Sequence, residues 1–205
     1  MSQEGKDVSP SPLMRKHWQH IDKRSLEECR SAEWETLSKQ KRDYLDERCA
    51  DEVLRMLKIQ AEDPSFGYSV NMYQHCLQTA TLMYRDGLPE EDIVVGLFHD
   101  IGYMVCPDAH GSFAALLLRP YISDRNHWML EHHEVFQQIH FHEMDDIDPD
   151  EREQWRGHPY FDWTSEFIAK YDQVAINIDE EILPIEEFEP MVRRVFAKNH
   201  RAPTI

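Results

Sequence analysis

Residues 69–87, SVNMYQHCLQTATLMYRDG, begin at a serine and end at a glycine, with apolar residues spaced at helical intervals between them. A segment bounded at both ends in this way is a helix of definite length. The next stretch, LPEEDIVVGLFHDIGYM at 88–104, places Pro89 and three acids in its first turn, which suits a second helix N-terminus. The chain has only seven glycines, and Gly/Asn hairpin signals are nearly absent, so an all-β fold is disfavoured. Inside the second helix, His99 and Asp100 sit side by side in the apolar run GLFHDIGYMV, and a buried imidazole beside a buried carboxylate needs partners.

The flanking sequence extends the all-α pattern. Residues 1–12 are polar with two prolines and read as a disordered tail. Residues 13–64 carry charge-rich helical patterns, with patchy faces that include Trp34, Leu37, Tyr44 and Leu45, and form an N-terminal helical extension. Residues 65–200 form the main helical domain. Beyond the two opening helices it contains a short apolar helix ended by Pro120 and a longer one in DRNHWMLEHHEVFQQIHFHE. An acidic loop follows, MDDIDPDEREQWRGHPYFD, and then helices in WTSEFIAKYDQVAINI and PIEEFEPMVRRVFAKN.

The formal net charge of −17 would repel nucleic acid and anionic membranes, so neither is an expected partner. No secretory leader or membrane-spanning run is evident, and none of the four cysteines forms a CxxC pair. A cytoplasmic protein with free thiols is expected. Oligomeric state, monomer or homodimer, is left open. Gly-rich phosphate loops, nucleophile elbows and zinc-finger spacings are lacking.

Twelve histidines are many for 205 residues, and most fall between residues 75 and 158. His75 has Met72 three residues before it. His99 and Asp100 lie among Val94, Val95, Leu97, Phe98 and Ile101. His133 has Met129 at i−4 and Phe136 at i+3, and Asp172 has Ile168 at i−4 and Ala175 at i+3. Residues at those offsets share a helix face. Four helices therefore each present a ligand-type side chain on or near an inward face. Several unpaired buried charges would cost several kcal/mol each, whereas one bound cation satisfies imidazole nitrogens and carboxylate oxygens together.

The order His75, His99-Asp100, Asp172, with VVGLFHDIGY around the doublet, resembles the H…HD…D signature of the HD-domain superfamily over about residues 65–180. The expected fold is thus an HD-domain helical bundle with an N-terminal helical extension. His110, in DAHGSFAALLL, and His133, in LEHHEVFQQ, extend the likeness to the six-ligand pattern of dinuclear HD proteins. One branch with that pattern is the mixed-valence di-iron oxygenases, which include myo-inositol oxygenase and 2-amino-1-hydroxyethylphosphonate dioxygenase. MYQHCLQTA and LFHDIGY are similar to runs in the latter. The resemblance implies that His75, His99, Asp100 and Asp172 hold one metal and Asp100, His110 and His133 the other, with Asp100 bridging. His132 competes with His133, which is preferred for its spacing to Phe136 and its match to the family histidine. The implied activity is O₂-dependent cleavage of a C–P or C–C bond in a small hydroxylated substrate such as a 1-hydroxyalkylphosphonate. The implied cofactors are two iron ions, Fe(II)/Fe(III), with Mn, Mg or another divalent metal as the alternative.

Departures from the family pattern bear on the substrate. Gln137 stands where the phosphonate enzyme has a lysine, Tyr68 falls at or near its acidic lid residue, and Lys170 is close to, but not at, the place of an arginine. Together with His158, a candidate lid residue in RGHPYFDW, these complete the candidate catalytic set of Asp100, Tyr68, Gln137, His158 and Lys170. Phe66, Tyr68, Tyr73 and Tyr103 are aromatics for core packing or for an apolar or cationic ligand group. Two other functions fit the same ligands. One is a dinuclear phosphohydrolase acting on a nucleotide or phosphate ester, with Arg119, Arg125, Arg156 or Lys170 as candidate clamps. The other is a non-catalytic metal- or ligand-sensing module. His17, His20 and His200 are expected at the surface; His140 and His142 are surface, core or ligand-supporting residues.

Overall fold

A computed structural model describes residues 15–198, in which seven α-helices and no strand occur. The all-α expectation holds; the tail at 1–12 and His200 lie outside the described residues. None of the described helices is long and apolar enough to cross a membrane. The chain divides between Cys49 and Ala50 into two compact units. Helix α1, Ser31–Ile59, runs through that division.

In the first unit, Arg15 pairs with Glu47 at 2.7 Å and lies 4.8 Å above the Tyr44 ring, against which Trp18 packs edge-on. His17 and His20 are exposed.

The second unit holds the core and the histidine cluster. It contains the end of α1 and helices α2 (Met72–Arg85), α3 (Glu90–Phe98), α4 (His110–Leu118), α5 (Asp124–Gln137), α6 (Phe161–Phe167) and α7 (Ile185–Phe196). Helix α2 starts two residues later than the serine signal predicts. Asn71 is its cap, accepting from the Gln74 amide while the Gln74 side chain accepts from Asn71 N–H. Its end is a Schellman closure: Gly87 adopts φ +70°, its N–H bonds Tyr84 O, and Leu88 N–H bonds Met83 O. The chain thereby reverses into α3 within four residues.

Two glycines set the helix spacing. A Cβ on Gly96 would run into Met83 Sδ, so α3 lies tight on α2. A Cβ on Gly111 would run into Leu130 O and stand 2.8 Å from His133 Cε1, so α4 lies equally tight on α5. The fully buried side chains Phe98, Met83, Met129, Phe136, Phe167 and Phe188 fill the space between. Helix α6 does not run on as the sequence predicts. It opens into a π turn over Ile168–Asp172, closed by Gln173 N–H to Ile168 O at 3.1 Å. Such turns often mark functional positions, because the extra residue re-aims a side chain.

Candidate metal centre

Each candidate ligand is presented at an element boundary or on an inward helix face. His75 lies one turn into α2, His99 caps α3 with Asp100 directly after it, and His110 is the first residue of α4. His133 is on the inner face of α5, and Asp172 ends the π turn. All six side chains are buried and converge.

The four imidazoles are oriented by one rule. Every Nδ1 faces a backbone carbonyl: His75 to Ala175 at 3.0 Å, and His99 to Gly96, His110 to Pro107 and His133 to Leu130, each at 2.8 Å. Carbonyl oxygens only accept, so each Nδ1 carries a proton, and each Nε2 faces inward as the atom that takes either a second proton or a cation. The Nε2 atoms then meet in pairs, His75 with His99 at 3.0 Å and His110 with His133 at 3.2 Å. Two bare lone pairs at that distance repel; a proton or a cation must lie between them.

The carboxylates add oxygen donors beside both histidine pairs. Asp100 Oδ2 is 3.4 Å from His75 Nε2 and 3.5 Å from His99 Nε2, while its Oδ1 is 3.1 Å from His110 Nε2 and 3.2 Å from His133 Nε2. The one carboxylate thus turns a separate oxygen toward each histidine pair. Asp172 Oδ1 is 3.2 Å from His75 Nε2 and 3.5 Å from His99 Nε2, yet it accepts no hydrogen bond from any described residue. Ligand atoms about 2.1 Å from a cation and at right angles to one another lie about 3.0 Å apart. The observed spacings fit donors on the edges of such polyhedra. His75, His99 and Asp172 form one buried group able to hold a metal ion, and His99, Asp100 and His133 another.

The electrostatics follow from the same geometry. Burial opposes charge on His75, but Asp172 and Asp100 overcome it and hold the imidazole up to about 9. His110 is likewise raised to about 9, against burial, by its hydrogen bond to Asp100 and the carboxylate charge. His133 is raised by the same partner. Burial pushes Asp100 and Asp172 up, and the surrounding histidines more than reverse this, so both stay well below the ordinary carboxylate range.

The remaining candidates are placed as follows. Gln137 belongs to the cluster, its Nε2 donating to Asp172 Oδ2 at 2.6 Å. His132 does not; its ring stacks on Trp128 at 4.1 Å and its Nδ1 bonds Trp128 O. His158 stacks on Trp128 at 4.3 Å. Lys170 is exposed and pairs with Glu166 at 2.6 Å. Tyr68 is exposed, and the nearby Tyr103 ring lies 5.3 Å from that of His110. His140 and His142 are exposed. Glu134 escaped the sequence reading. Its Oε1 accepts from Gly111 N–H at 2.7 Å and lies 3.6 Å from His110 Nδ1, which ties α5 to the start of α4. The only sequence signal for it is a glycine directly after one candidate histidine and an acid directly after another.

No protein-family model matches the chain, and a search of curated proteins finds no match.

Proposed function

We propose that the chain is a non-haem di-iron oxygenase of the HD-domain type, which uses O₂ to cleave the C–P or C–C bond of a small hydroxylated substrate. The observation that carries this reading is the pairing of four inward Nε2 atoms around a carboxylate that turns one oxygen to each pair. Imidazole and carboxylate without thiolate suit non-haem iron. His75, His99, Asp172 and Asp100 Oδ2 would hold one ion, and His110, His133 and Asp100 Oδ1 the other. When bound, the metal pair supplies Lewis acidity toward the substrate hydroxyl and electrons for O₂.

The chain's own residues fix the rest. The backbone carbonyls of Ala175, Gly96, Pro107 and Leu130 lock the four imidazoles in the ligating tautomer. Buried apolar neighbours such as Phe167, whose ring lies 5.4 Å from His99, keep bulk water from that side. The second centre has fewer protein donors than the first, which leaves it more room for exogenous ligands.

The phosphohydrolase alternative calls for a cationic clamp on the phosphate. The four cations named for that role are engaged elsewhere: Arg119 with Asp124, Arg125 with Asp92, Arg156 with Glu153 and Lys170 with Glu166. This weighs against a phosphate ester and equally against a phosphonate held by these four cations, and leaves the substrate hydroxyl as the group the centre would recognise. Iron analysis with Mössbauer and EPR spectroscopy tests the proposal. A coupled Fe(II)/Fe(III) signal, with O₂ uptake on 1-hydroxyalkylphosphonates or polyols, is expected. Loading by Mg or Mn alone, no O₂ uptake, and phosphate release from nucleotides would establish the hydrolase instead.

A further inference from the structure

Asp172 has two chemically different oxygens. Oδ2 receives the Gln137 amide at 2.6 Å, whereas Oδ1 faces the Nε2 atoms of His75 and His99 and accepts no hydrogen bond from any described residue. A carboxylate accepts only, so the amide end facing it is the NH₂ group, whatever other contacts Gln137 makes. Gln137 comes from the last turn of α5 and Asp172 from the π turn, so the bond fixes the carboxylate from outside its own element.

An unanchored carboxylate beside a cation can bind through one oxygen or swing to bind through both. Anchoring commits one oxygen to a donor that no cation can share in the same direction. The donor is also neutral. A lysine at the same place would offset the carboxylate charge, and a glutamate would repel it.

We propose that Gln137 is a positioning residue that restricts Asp172 to ligation through Oδ1, and so keeps a coordination position open for a small exogenous ligand beside His75 and His99. This rests on the metal-site reading above.

The test uses the full chain, freed of metal, loaded with Co(II), and titrated with azide as the exogenous ligand. Wild type and Gln137→Met should both take two Co(II) per chain. The variant should show the weaker visible bands of higher coordination and bind azide about ten-fold more weakly, the scale of losing a group that supports a ligand. The unloaded variants' melting temperatures report folding separately. Gln137→Leu also removes the donor, should match Gln137→Met, and carries the test if Gln137→Met does not fold. Two Co(II) with unchanged bands and azide affinity in Gln137→Met would overturn the positioning role and leave the metal-site reading intact, as would the same result in Gln137→Leu if that variant alone folds. A wild type that takes up no Co(II) would overturn both.

Discussion

Gly111→Ala removes no proposed ligand, yet it should disable one of the two proposed centres. A Cβ at this position would meet Leu130 O, His133 Cε1 at 2.8 Å and Glu134 Oε1 at 2.9 Å. The first of these is backbone and cannot rotate away, so α4 and α5 must separate or tilt. Overpacking of this kind costs about 1–3 kcal/mol, against a gain of up to about 1 kcal/mol from replacing a helical glycine. The net loss is then about 0–3 kcal/mol, or a fall of up to roughly 12 °C in melting temperature for a chain of this size. The larger effect falls on His110 and His133, whose Nε2 atoms lie 3.2 Å apart across that helix contact. Weakening of one metal ion by about 10–100-fold is expected, with the other unchanged, because His75, His99 and Asp172 stand on other elements. Gly96→Ala is the control. Its Cβ meets the buried side chains of Met83 and Thr79 rather than a backbone carbonyl or a candidate ligand, so it should cost about 1–3 kcal/mol of stability while both ions remain. Metal stoichiometry by equilibrium dialysis and melting by circular dichroism read both effects. If Gly111→Ala keeps two ions at wild-type affinity, close α4–α5 contact is not what builds the second centre.

His133→Ala should lose an ion while His132→Ala keeps two, as measured by metal content, because only the former reaches Asp100. Metal loading at pH 7.5 should release protons, since His75 and His110 hold theirs up to about 9 in the metal-free protein; calorimetry in buffers of different ionisation enthalpy counts them, and no release would refute that protonation state. Glu134→Gln should keep the hydrogen bond to Gly111 and remove the charge beside His110, so the chain should fold normally but bind its second ion several-fold more weakly in titrations.

The histidines and aspartates on apolar faces were legible because burying a charged or polar group among Val, Leu and Phe is costly, and the cost announces itself in sequence. His75, His133 and Asp172 show this. His110 stands at a helix start, where no amphipathic pattern marks it, and only the resemblance singles it out. The Nδ1 anchors are backbone carbonyls, which carry no residue signature at all. The π turn is equally silent, since the same five residues would serve in an α-helix. Lys170 precedes Asp172 by two positions, and residues two apart on a helix do not share a face, which accounts for its pairing outward with Glu166. Gln137 was legible as a position, but not as a donor to Asp172, because that bond joins helices 35 residues apart in sequence.

Proton and metal compete for the same inward Nε2 atoms. His75 and His110 are raised from 6.5 to about 9, so their contribution to the metal-free fold is fully present below pH 6.5 and is lost as pH rises through about 9. Asp100 and Asp172 are depressed below 3.8, so their contribution is present above that pH and fades only in stronger acid. The metal-free protein is therefore favoured between about pH 4 and 6.5 by these groups. A bound cation replaces the protons and removes the alkaline loss, because Nε2 then needs none. The rise in melting temperature on metal addition should accordingly grow from pH 6.5 to 9. A rise that shrinks over that interval would mean that the lone pairs are not where the cation binds.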